Sequence, residues 1–189
     1  MLSTISRRLA CAFGLAAALP GLAGTQATKD PDAGWETIFF ETRVGSFKVL
    51  GTTDVPARGH LEVSFKGTVL VSGLNGSVGV QGAVRKQYED AKHKRTVYFG
   101  AGKIVVDGSW QGVQWFGRDS KSMFRAASGG AALVRLTGEF DQNLKTGEYW
   151  FAADPSHKDH WLTSMITIRV PRPPAERPTP VIEPHQVKP

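Results

Sequence analysis

The sequence predicts an all-β fold: a single domain of short, glycine-punctuated antiparallel strands, with at most one or two short helical turns. Three observations carry this reading. Apolar residues recur with a period of two, glycines bracket strand-length apolar segments at matching offsets, and helix-starting signals are scarce. The sheet is expected as a sandwich or barrel-like meander, with a curled, solenoid-like sheet as the alternative.

The period of two is plain in three places. Leu61, Val63 and Phe65 alternate with Glu62, Ser64 and Lys66. Ile38 and Phe40 alternate with Thr37, Phe39 and Glu41, and Ile166, Ile168 and Val170 with Thr167 and Arg169. Successive strand side chains point to opposite faces, so each segment reads as a half-buried strand.

The glycine pattern is a weak internal repeat. Gly67 to Gly73 (GTVLVSG), Gly76 to Gly82 (GSVGVQG) and Gly102 to Gly108 (GKIVVDG) share one form, and Gly59 to Ser64 (GHLEVS) is a partial copy. Each copy reads as one short strand with glycine at its turns or bulges. Such units cannot bury an apolar face alone and must stack side by side. In architecture the repeated strands resemble the curled sheets of envelope lipid-carrier domains, a likeness of form only.

Hairpin turns are expected at Val44-Gly45-Ser46 and Thr146-Gly147, and Arg85 to Arg95 reads as a long charged connection. Short helical turns are expected at Asp154–His160, where Pro155 follows a capping aspartate, and at Asp119–Ala127.

The termini differ from the middle. Residues 1–27 have the parts of a secretory signal: Arg7 and Arg8, an apolar run from Leu9 to Leu19, and small residues with Ala23 and Ala27 as cleavage positions. Arg7-Arg8 also resembles a twin-arginine signal, but Ala10-Cys11 follows where a bulky apolar pair is usual. The run is too short to span a bilayer, so the mature chain is expected to be periplasmic or secreted, with no transmembrane segment. Cleavage would remove Cys11, the only cysteine, and with it any disulfide, thiol nucleophile or cysteine metal site. Residues 28–34 read as a linker, 35–170 as the β domain, and 171–189 as a proline-rich, extended, disordered tail.

No catalytic motif is present: there is no nucleophile elbow and no phosphate loop, and no helix follows the glycine-flanked strands. No cofactor is therefore expected. Weak site candidates remain. Trp110, Gln111, Gln114 and Trp115 could form an aromatic platform for sugar rings, although large aromatics more often fill a core. Alternation puts Val113 and Trp115 on one face and Gln114 and Phe116 on the other.

Asp154, His157 and His160 have a spacing that could bind a divalent metal, against a plain polar loop. Glu139 and Asp141 flank Phe140 like a carboxylate pair for glycoside hydrolysis, but Asp141 and Asn143 fit turn-capping better. Arg85, Lys86, Lys92, Lys94 and Arg95 form a basic stretch that could touch anionic surfaces, against a solvated hairpin tip.

The expected role is an exported, non-catalytic envelope or secreted β domain. Its expected partner is a polysaccharide, a lipid or another envelope protein, not nucleic acid. A carbohydrate-binding module and a carrier of an amphipathic lipid are the alternatives.

Overall fold

The computed structural model describes residues 33–144 and 146–178. The expected signal segment, with Ala23 and Ala27, and the end of the expected tail lie outside them. Among the described residues the all-β expectation holds: one antiparallel, nine-stranded sheet with a single short 3-10 turn at Pro174–Glu176.

The strands are longer than expected. They are β1 Thr37–Leu50, β2 Ala57–Ser72, β3 Asn75–Asp90, β4 Arg95–Trp110 and β5 Gly112–Ala126, of 14 to 16 residues each, then β6 Ala132–Gly138, β7 Glu148–Phe151, β8 Asp159–His160 and β9 Ile166–Val170. The order is β3-β4-β2-β5-β1-β6-β9, with β7 pairing β1 and β8.

This is not a meander. The first half of the chain and its return run side by side as a double ribbon: β3 with β4, β2 with β5, β1 with β6. The ribbon is wound so that β4 also pairs β2, and β5 also pairs β1.

Several expected turns lie inside strands. Val44-Gly45-Ser46 sits mid-β1, and Asp119–Ala127 falls almost wholly within β5. The charged connection from Arg85 is strand on both sides of a turn at Ala91–Lys94, where Lys94 has φ 50°. No helix forms at Asp154–His160. The repeat glycines bounding the copies are mostly strand-interior residues, aligned across strands. One row runs Gly100–Gly67–Gly117–Gly45–Gly138 over five strands, and a second runs Gly76–Gly108–Gly59.

The long row is a crease. Phe40 and Phe47 lie seven residues apart on β1, which would separate them by roughly 23 Å on a straight strand. Their rings instead meet edge-on at 4.8 Å. The buried parity also switches there, from Ile38, Phe40 and Thr42 to Phe47 and Val49. In β5 it switches from Val113 and Trp115 to Ser120, Ser122 and Phe124, across Asp119 at φ 53°.

At Gly67, with φ +135°, a Cβ would run into the Phe116 carbonyl oxygen. The backbones approach too closely for any side chain. At Gly138 the space is taken by Trp161 and the Val44 carbonyl, and at Gly45 by the Thr137 carbonyl and then Trp161, which is buried where β1 leaves β6 and joins β7.

The crease divides the sheet into two leaves packed on one core. The first leaf holds residues 37–43, 57–65, 75–82, 102–110, 119–126 and β7. The second holds 46–50, 68–72, 84–90, 95–99, 112–116, β6 and β9. At the far end the chain passes between leaves in very few residues, as at Gln111, whose N–H donates to Ser72 O and whose carbonyl accepts from Gly51 N–H. Trp110 of the first leaf donates its indole N–H to Val49 O of the second at 3.1 Å. A single sheet thus makes its own sandwich. The first part of the expected tail packs on it: Arg172 N–H donates to Trp35 O, and the Arg172 and Arg177 guanidinium groups lie over Phe151 and Trp35.

Candidate functional site

The aromatic platform does not form. Trp110 and Trp115 are fully buried, Trp115 stacked on Phe47 at 5.5 Å. The core of a disulfide-free sandwich takes the largest side chains inward. Gln111 gives only its backbone to the crossing between leaves and is itself exposed, away from any exposed tryptophan, and Gln114 is half-buried on the outer face of β5. Phe116 does stay 48% exposed, on the same outer face as Gln114.

The metal trio also disperses. Asp154 accepts from the Ser156 hydroxyl at 3.0 Å, His157 lies 3.5 Å from Asp159, and His160 stacks on Phe140. Among the described residues no group of three or more His, Cys, Asp or Glu side chains could hold a metal ion. Asp141 caps its turn as expected, accepting from the Asn143 and Leu144 N–H groups at 3.0 and 3.1 Å. The basic stretch splits: Arg85 and Lys86 lie on β3, Lys92 and Lys94 in the turn, and Arg95 opens β4. Lys86 is held by Glu89, which raises its pKa.

Two constellations appear that no local motif announces. The first is a polar cluster on the outer face of the first leaf. His60 on β2 sits between Asp107 of β4 and Glu62, its Nε2 3.1 Å from Glu62, and Lys103 pairs with the other Glu62 oxygen. The hydrogen bond that Asp107 accepts raises the His60 pKa, opposed by partial burial and reinforced by Glu62. Lys103, then His60, lower that of Glu62. These groups satisfy one another.

The second is an open cleft of about 600 Å³ beside the crease. Its apolar wall is Phe65, Ala101, Gly102 and Leu144. Thr42 and Ser120 add hydroxyls, with Thr42 donating to Val44 O at 3.0 Å and Ser120 bonded to Ser122 at 2.9 Å. Thr146 Oγ1, also at the wall, is buried with no hydrogen-bond partner among the described residues. Buried hydroxyls are seldom left so.

The rim is charged. Lys66 pairs with Asp119 at 3.3 Å and Lys121 with Glu41 at 3.8 Å, while Arg43 is exposed and has no ion pair among the described residues. The bulge that flips β5 at Asp119–Ser120 and the bend in β1 open this space, so the cleft is a by-product of the crease. A wall of this kind can take a hydrocarbon, and a rim with one spare cation can hold an anionic head.

No family model, no curated protein and no solved structure matches the chain. Among the described residues no helix is long and apolar enough to cross a membrane. By form, the described residues make a nine-stranded antiparallel sheet creased along glycine into a sandwich, with a cleft at the fold line.

Proposed function

We propose that this is an exported, non-catalytic β domain that binds a small amphipathic ligand with an anionic head. The observation that carries the reading is the crease cleft, whose volume and apolar wall lie within the range of small-ligand sites. Arg43 is the head-group partner. The rim carboxylates Glu41 and Asp119 are engaged by lysines, which leaves the guanidinium as the unspent charge. The carbohydrate reading loses its support with the burial of Trp110 and Trp115.

Calorimetric titration of the folded protein with dodecanoate, against dodecyl maltoside as the uncharged comparison, tests this. Saturable binding of dodecanoate is expected, weakened about tenfold by Arg43→Glu and abolished by Ala101→Trp, which fills the wall. No saturation by dodecanoate below about 1 mM, or equal binding of the maltoside, would sink the reading.

A further inference from the structure

The outer face of the second leaf carries chemistry that folding does not require. Residues paired across neighbouring strands share a face, so the registers give its rows directly. Beside the crease, Arg85 pairs with Phe99, Phe99 with Thr68, Thr68 with Phe116 and Phe116 with Ser46. The next row runs Tyr88–Val97–Leu70–Gln114–Lys48–Arg135. The third contains Asp90, Arg95, Ser72, Leu50, Leu133 and Arg169. On the crease itself Lys66 and Val44 flank Arg118.

Aromatics and cations are thus interleaved here, which the linear sequence hides. Tyr88 is 57% exposed, Phe99 43% and Phe116 48%. Lys48, Arg85, Arg118, Arg135 and Arg169 form no ion pair among the described residues. The three rows contain one carboxylate, Asp90, and His93 already engages it.

We infer that this face seats the protein on an anionic lipid surface. Cations around an apolar centre are what such a surface attracts: the charges are drawn to the headgroups and the apolar side chains enter the boundary with the acyl chains. Tyrosine and phenylalanine suit that depth. A polyanion such as single-stranded nucleic acid would also meet the cations and stack on the rings. It gains little from Leu70, Val97, Leu50 and Val44, which offer no stacking plane but do bury well among hydrocarbon. The inference stands on this face alone and does not depend on the cleft.

Sedimentation of the full chain with phosphatidylcholine vesicles, with and without phosphatidylglycerol, tests it. Binding is expected only with phosphatidylglycerol and should weaken as salt is added. The triple variant Lys48→Gln, Arg85→Gln, Arg118→Gln should partition about a hundredfold less. The pair Phe99→Ser and Phe116→Ser should lose at least about tenfold. Arg58→Gln with Arg125→Gln, on the first leaf, should bind as the parent does.

A thermal melt of each variant checks the fold, and if the triple variant melts early, the phenylalanine pair and the salt series still decide. The inference is overturned by equal binding to both vesicles, by no binding, or by equal loss in the first-leaf variant. Tighter binding of a single-stranded oligonucleotide or dextran sulfate than of anionic vesicles overturns it too.

Discussion

The two leaves are cut from the same strands, yet their outer faces are unlike. On the first leaf a carboxylate-rich cluster answers its cations: His60 with Asp107 and Glu62, Lys103 with Glu62, Lys121 with Glu41, while Arg43, Arg58 and Arg125 make no ion pair among the described residues. On the second, arginines and a lysine stand unpaired around exposed rings. Both inner faces pack into one apolar cluster. The core needs nothing different from the two outer faces, so their contrast is not set by packing.

The comparison breaks most completely at the crease. Gly67→Val places a side chain against the Phe116 carbonyl and imposes a left-handed φ on a branched residue. It should cost about 3 kcal/mol or more and take both leaves down together in a single denaturant transition. A melt in which the second leaf unfolds separately would show that the leaves are not one unit.

A smaller effect is expected from Trp110→Phe, which keeps the ring but removes the bond between leaves to Val49 O. That should cost about 1–2 kcal/mol, read as a lower denaturant midpoint at unchanged slope. A loss under a few tenths would mean the contact is incidental.

The smallest effect sharpens the contrast between faces. His60 is raised above its ordinary 6.5, chiefly by Asp107. Its contribution is therefore fully present below pH 6.5 and is lost as pH rises through the raised value. His60→Gln should lower the melting temperature by a few degrees at pH 5.5 and by less at pH 9, while leaving vesicle binding alone. A larger deficit at pH 9 would reverse the sign and refute the pairing.

How much of this could be read from the chain alone is clear from particular residues. Alternation at Leu61, Val63 and Phe65, and at Ile38 and Phe40, marked true inner faces, and it also placed Phe116 outward beside a buried Trp115. It failed where strands change face. Val44-Gly45-Ser46 resembles a turn because a crease and a turn make the same demand on glycine. Only cross-strand register distinguishes them. The cleft is not legible in the sequence because its walls come from five separated segments, and no spacing links Phe65 to Leu144. The tryptophan candidates failed because spacing along a chain says nothing about which side chains a core takes inward. The metal trio failed because no helical turn forms at Asp154–His160 to bring its side chains to one face.

The winding of the ribbon has a consequence for how the protein is made. Among the described residues β1 finds its partners only in β5, β6 and β7, and β2 only in β4 and β5. A chain that emerges amino end first holds its two opening strands idle until the later ones arrive. Only the β3–β4 hairpin at the ribbon's tip can close early, and assembly then zips from the tip towards the termini. Such long-range pairing forms slowly. The growing polypeptide should therefore keep β1 and β2 without sheet partners until β4 and β5, residues 95–126, have been made.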